Sequence, residues 1–234
     1  MSVPDAKNRS DGKPVREAIA GRPVVRRRLP PEQRREEVVE VATRVFAEKG
    51  YRATNITDIV VRAGIGRGTF YLYFDSKQDV FLGIIERYFS AFEALLKSNQ
   101  KKLAQAIENG ENAIEVWRGN MLEILRYHRD NPDLTSVVYR DALGSDQHFA
   151  ARVDELTVTA RGELRKDFEL LEASGLLRKC NLDVVTNMIL GSSIYVIMEN
   201  VVKNKKPDLE AITDEMIEYH IRALIKTDVQ KAAN

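Results

Sequence analysis

Residues 55–77 read Asn55-Ile56-Thr57-Asp58-Ile59-Val60-Val61-Arg62-Ala63-Gly64-Ile65-Gly66-Arg67-Gly68-Thr69-Phe70-Tyr71-Leu72-Tyr73-Phe74-Asp75-Ser76-Lys77. Asn55 followed three positions on by Asp58 is a helix N-cap with an acidic partner, a relative of the capping box. Ile56, Ile59, Val60 and Ala63 then form one apolar stripe, and Gly64 breaks the helix. A further short helix is expected from about Arg67 to Phe74, after which Ser76-Lys77-Gln78-Asp79 caps the next. Upstream, Val38, Val41, Ala42, Val45 and Phe46 fall on one face of a helix that Pro30-Pro31 opens and Gly50 closes as a left-handed residue. Two short helices, 56–63 and 67–74, joined by a tight turn and set against a preceding helix, form the helix-turn-helix arrangement. The second helix of that arrangement lies in the DNA major groove.

The outward residues of this second helix support that placement. Arg67 is a long donor, Gly68 and Thr69 are small enough for close backbone approach, and Tyr71 and Tyr73 are phenols within reach of phosphates. No acid intervenes before Asp75, as expected of a surface beside a polyanion. Taken singly, the two tyrosines also read as core aromatics and Arg67 as a solvated charge; it is their spacing with Gly64, Thr69, Phe74 and Lys77 that favours the DNA reading.

At these positions the chain resembles the tetracycline-repressor (TetR) family of bacterial transcriptional regulators. The resemblance is carried by Gly50-Tyr51-x-x-Thr54-x-Ile56-x-Asp58-Ile59 and by Ala63-Gly64-Ile65-x-Arg67-Gly68-Thr69-Phe70-Tyr71-x-Tyr73-Phe74-x-Ser76-Lys77, and covers about residues 33–85. It implies phosphate contacts from Thr54 and from the backbone near Gly66, and base-edge approach by Arg67, Gly68 and Thr69. It implies backbone contacts from Tyr71, Tyr73 and Lys77, with Ile65, Phe70 and Phe74 as internal core. Two positions depart from the family pattern. Gly66 stands where a Ser or Thr N-cap is common, and Leu72 where a polar or basic residue is common; Leu72 reads either as packing on a thymine methyl or as only weakening a polar contact.

Downstream, apolar periodicity marks helices around Ile114–His128, ending before Pro132, around 152–174, ending at Gly175, and around Ile217–Ile225. The segment Val184–Val202 differs, because its apolar residues surround the axis, so it must be covered on two sides. The resemblance implies that helices near 152–174 and 182–203 pair with their symmetry mates in a homodimer, as a palindromic operator of double-stranded DNA requires. The other reading of 182–203 is a helix central to its own monomer. The resemblance further implies a pocket for a small, hydrophobic effector, for which Phe89, Phe92, Trp117, Met121, Tyr139, Phe168, Met188 and Tyr195 are the bulky candidates; such residues at helical spacing also serve as plain core.

The fold class expected is all-α: a disordered basic arm at 1–30, a three-helix DNA-binding domain at 31–77, and a larger helical ligand-binding and dimerisation domain at 78–234. Charge agrees with that division. The net charge of +1 averages 16 Lys+Arg against 10 Asp+Glu in residues 1–77 with 20 against 25 beyond. Five of seven prolines lie in the first 31 residues, where eight basic residues face three acids. Arg26-Arg27-Arg28 reads either as solvated chain or as a minor-groove arm.

Several classes are disfavoured. No unbroken apolar run exceeds a few residues and no signal sequence is evident, so a cytoplasmic protein without a membrane partner is expected. Cys180 is the sole cysteine and cannot form an intrachain bridge. Gly64-Ile65-Gly66-Arg67-Gly68-Thr69 follows a helix and has Thr69 at the sixth position, unlike a dinucleotide fingerprint. A P-loop is absent, and His128, His148 and His220 have no metal-type spacing. No cofactor or enzyme activity is therefore expected; a DNA-binding protein without inducer and an all-α cofactor-binding enzyme are the alternatives to a ligand-responsive repressor.

Overall fold

The computed structural model describes residues 30–142 and 147–226. The basic arm expected at 1–30 therefore lies, save Pro30, outside the described residues, as does the question of what Arg26-Arg27-Arg28 does. Among the described residues the regular structure is helical, with one isolated bridge between Leu177 and Ile225. The all-α expectation holds.

The N-terminal part consists of α1 (Pro31–Lys49), α2 (Ile56–Ala63) and α3 (Arg67–Tyr71). Pro31 opens α1, where its missing N–H removes no helical bond. Gly50 closes it with φ 83° and ψ 154°. The positive φ was legible, but the ψ is far from that of the left-handed helix, and residues 51–53 turn the chain toward α2. α3 is three residues shorter than expected: the Tyr73 and Phe74 N–H groups both turn back to the Phe70 carbonyl at 3.0 and 3.1 Å, tightening the end into a turn.

α4 (Lys77–Glu108) has 32 residues, which at 1.5 Å per residue spans about 48 Å. It is the strut of the molecule. Its first turns give Val80, Phe81, Ile84 and Ile85 to the N-terminal core, its middle gives Tyr88 and Phe92 to a second cluster, and its end gives Leu103 to the C-terminal core. The N-terminal core also takes Val137, Phe149 and Val153 from later in the chain; Phe149 meets Phe81 and Tyr51 with ring centroids 4.6 and 5.1 Å apart.

Beyond α4 come α5 (Ala113–Asp130), α6 (Pro132–Ser136), a π-helical segment Val137–Ala142, and α7 (Gln147–Ala173). α8 (Leu182–Val196) follows, with a π-helical continuation Ile197–Val202, and then α9 (Leu209–Leu224). α6 is absent from the sequence reading because Pro132 both stops α5 and occupies the first turn of the next helix. A reciprocal pair of buried amides fixes α4 on α5: Asn99 donates to the Asn120 carbonyl at 3.2 Å and Asn120 to the Asn99 carbonyl at 2.9 Å.

The span Leu182–Val202 is long and apolar enough to cross a membrane by length and composition, with a third of it buried in the protein. A search for unbroken apolar runs missed it because Thr186, Asn187, Ser192 and Ser193 interrupt the sequence. Val185, Ile189, Ile197 and Val201 face the core, whereas Val184, Met188 and Tyr195 are exposed. The two-sided apolar character therefore resolves into one covered and one open face.

Candidate nucleic-acid interface and internal cavity

α2 is fixed at both ends by local chemistry. The Asn55 side chain accepts from the Asp58 N–H at 3.0 Å, and the Asp58 carboxylate accepts from the Asn55 N–H at 2.9 Å. Lys49 Nζ donates to the other Asp58 oxygen at 2.7 Å; that bond, with the backbone bond from Asn55, holds the Asp58 carboxyl below its ordinary range. At the far end Gly64 is left-handed, φ 61° and ψ 39°. Its N–H returns to Val61 O at 3.1 Å while the Ile65 N–H returns to Val60 O at 3.0 Å, the double closure that lets the chain reverse into α3.

α3 is clamped from within. Phe70 and Phe74 are fully buried, with centroids 5.6 Å apart, and the Arg35 guanidinium lies 4.9 Å from the Phe74 ring centre. Its other side faces outward: Arg67 and Gly68 are exposed, Tyr71 is 51% and Leu72 77% exposed, and Thr69 and Tyr73 are half-buried. A Cβ at Gly66 or Gly68 would meet nothing within 4 Å. The fold itself does not require glycine there; what the glycines leave is bare backbone on the outer surface. Gly66 caps α3 without a side-chain bond. Arg67 reaches back to α2, donating to Thr57 Oγ1 at 2.8 Å.

Two residues expected to contact DNA have polar atoms bonded within the fold, Thr54 buried and Lys77 partly exposed. Thr54 is 2% exposed and its hydroxyl donates to the Gly50 carbonyl at 2.8 Å. The Lys77 ammonium donates to the Tyr51 and Thr54 carbonyls, both at 2.8 Å, and sits 4.3 Å from the Tyr51 ring centre. Burial pushes its pKa below the ordinary lysine value. Thr54 and Lys77 thus brace the α1–α2 turn against the start of α4.

In the C-terminal part a cavity of about 180 Å³ lies between α4, α5, the 137–142 segment, α7 and α8. Of the eight ligand candidates it brings together Phe89, Phe92, Met121 and Tyr139. Trp117 and Phe168 belong instead to the separate C-terminal core, where Trp117 stacks on His220 at 5.4 Å and meets Phe168 edge-on at 6.1 Å. Met188 and Tyr195 are 60% and 70% exposed on the open face of α8. The reading missed Leu96, Ile124, His128, Leu164 and Ser193 on the cavity wall. Helical spacing carried part of that signal: Leu96 follows Phe92 by four, and Ile124 and His128 follow Met121 by three and seven.

One segment touches both regions. Val138 and Tyr139 wall the cavity. The next residue, Arg140, donates to the Phe46 and Ala47 carbonyls at 2.8 and 3.1 Å, taking up the last acceptors of α1. Asp141 receives Arg140 at 2.8 Å and the Tyr51 N–H at 3.3 Å. Cavity wall and N-terminal helices are therefore joined through consecutive residues.

Comparison with known proteins agrees with this geometry. Residues 38–84 match the family model for bacterial regulatory proteins, tetR family. The HTH-type transcriptional regulator YerO of Bacillus subtilis is 33% identical over 101 residues, which are 42% of this chain and 33% of that protein. Across four curated relatives the matched stretch spans 33% to 54% of their own length. Among solved structures, a TerR/AcrR-family transcriptional regulator from Aquifex aeolicus matches with a TM-score of 0.63 at 24% identity, covering 80% of this chain and 96% of that one. The transcriptional regulator FadR from Bacillus subtilis, in complex with stearoyl-CoA, matches with a TM-score of 0.60 at 20% identity, covering 78% and 95%. These likenesses establish a shared fold along most of the described chain.

Proposed function

For a chain that carries the tetR-family N-terminal domain at residues 38–84, we propose the function of a cytoplasmic transcriptional repressor that binds a palindromic operator as a homodimer and is released by a small apolar ligand. The observation that carries this reading is the two-sidedness of α3. Its inner face is locked by Phe70 and Phe74 while its outer face is bare at Gly68 and exposed at Arg67, Tyr71 and Leu72. In the groove, Arg67, Gly68, Thr69 and Leu72 approach base edges, and Tyr71, Tyr73 and the Gly66 backbone reach phosphates. Thr54 and Lys77 act from behind, holding the turn that presents α3.

Dimerisation is assigned to the open face of α8, where Val184, Met188, Gly191 and Tyr195 follow one another at helical spacing, with Val158 of α7 also exposed. Two such faces brought together hide the apolar stripe and set two α3 helices on one side of the assembly. Repression and release then follow from a population shift. A ligand that occupies the cavity displaces Tyr139, and Arg140 and Asp141 carry the displacement to the C-terminal end of α1 and to Tyr51. The relative FadR, solved in complex with stearoyl-CoA, supports a ligand-responsive body of this fold.

Selection of bound DNA from a random pool by the purified full chain tests the reading. A palindromic consensus is the expected result; no enriched sequence would overturn it.

A further inference from the structure

The cavity wall contains an orphaned acceptor whose chemistry constrains what can occupy the space. His128 is fully buried and lines the cavity, and among the described residues its Nε2 has no hydrogen-bond partner. Its other nitrogen, Nδ1, lies 3.1 Å from Thr135 Oγ1, and that same hydroxyl lies 2.8 Å from the Asn131 carbonyl oxygen. Between two oxygens 2.8 Å apart the only hydrogen available is the hydroxyl's own, so Thr135 donates to Asn131. Toward His128 the Thr135 oxygen can then only accept, which requires that Nδ1 carry the ring hydrogen. Nε2 is thereby left as a bare lone pair. His128 is a wall residue of the cavity and Thr135 is not.

The rest of the wall sharpens the requirement. Among the described residues no Asp, Glu, Lys or Arg lines the cavity, so an ionised group there would lose its hydration without a counter-charge. Burial also pushes the His128 pKa down to about 3, which keeps the imidazole neutral and its lone pair available near physiological pH. An ether or ketone oxygen would face that lone pair with another. Ser193 Oγ, on the α8 side of the cavity, is likewise buried without a partner and can return a hydrogen to a ligand oxygen. The volume of about 180 Å³ compares with the roughly 150 Å³ apolar cavity that accepts benzene.

Building on the ligand-responsive reading above, we propose that the cavity binds an uncharged, compact apolar molecule of about one substituted ring that carries a hydroxyl, and that this hydroxyl donates to His128 Nε2. A donor at this point relieves a buried acceptor that the fold leaves unmade.

Isothermal titration of the full chain with 4-propylphenol and with its methyl isostere 4-propyltoluene tests this directly. The phenol is expected to bind about tenfold more tightly. A cavity that is merely apolar gives the opposite order, because the toluene is the more hydrophobic of the pair; equal or reversed affinities would overturn the hydroxyl assignment while leaving a ligand-binding cavity in place. Binding of neither compound would defeat the ligand-responsive reading along with it. In His128→Leu the preference for the phenol is expected to vanish, and its persistence would count against the proposal. Should that variant fail to fold, nitrogen-15 NMR of the wild-type histidines decides: an Nδ1–H tautomer at His128 whose Nε2 resonance shifts on addition of 4-propylphenol is expected, and an Nε2–H tautomer would refute it.

Discussion

Phe70 in α3 with Phe74 just beyond its end, and Phe89 with Phe92 in α4, are the same residue type at similar spacing, yet they do opposite work. The first pair fills space: both rings are fully buried, in contact with each other and with the N-terminal core. The second pair bounds space, since both rings face a hollow of about 180 Å³. A filled interior holds α3 in one orientation, as presentation to a groove demands; a hollow interior leaves contacts unmade, which a ligand can complete. The molecule thus pairs a filled region with a hollow one, which the proposed function reads as presenting and receptive, and the segment 138–141 joins them.

That contrast predicts unequal costs. Phe70→Ala opens a cavity in a close-packed core and is expected to lower stability by about 3–5 kcal/mol in urea denaturation. Phe92→Ala enlarges a space that already exists, and about 1–3 kcal/mol is expected. Equal losses would erase the distinction between the two regions.

A second prediction concerns a carboxyl outside both regions. Asp167 in α7 has one carboxylate oxygen buried without a partner. Burial, followed by the charge of Glu163, raises its pKa to about 7. Its folded-state pKa exceeds the unfolded value of about 3.9, so the folded chain keeps the proton longer. Stability therefore falls as pH rises from about 4 to about 7 and the deficit persists above that. Because the residue is partly exposed, the effect is screened, and Asp167→Asn is expected to gain about 1–2 kcal/mol at pH 8 and nothing at pH 4 in paired thermal melts. A gain independent of pH would contradict this.

Arg140→Ala removes the Arg140 bonds to α1 while leaving the Tyr51–Asp141 bond and both interiors in place. A stability loss of about 1–2 kcal/mol is expected, with operator affinity retained and ligand-induced release weakened, read by fluorescence anisotropy with and without ligand. Unaltered release would mean that coupling does not run through Arg140. The smallest effect belongs to Gly66→Ser. The site has open space and a missing side-chain cap, so a gain of a few tenths of a kcal/mol in denaturation midpoint analysis is expected.

The two regions also differ in how far their sequences could be read. The limits of α2 and the start of α4 were legible because single residues fix them through bonds to near neighbours: Asn55 with Asp58, Gly64, and Ser76 with Asp79. Gly50 was legible in the sign of its φ but not in its ψ, which depends on where the chain goes next. The cavity was half legible. Trp117 and Phe168 have the same helical periodicity as Phe92 and Met121, and what separates core from wall is which helix lies opposite, a non-local fact. The inward bonds of Thr54 and Lys77 were hidden for a similar reason: their polar atoms meet the Gly50, Tyr51 and Thr54 carbonyls of the α1–α2 turn, partners that only the folded chain brings close.

The central claim is that the outer face of α3 reads DNA and that two copies do so together. Hydroxyl-radical footprinting of the full chain on its selected operator tests it most directly. Two protected segments centred one helical turn apart, roughly 34–36 Å, are expected, with both lost in Arg67→Ala at protein concentrations that saturate the wild type. A single protected segment, or a footprint unchanged by Arg67→Ala, would contradict the account.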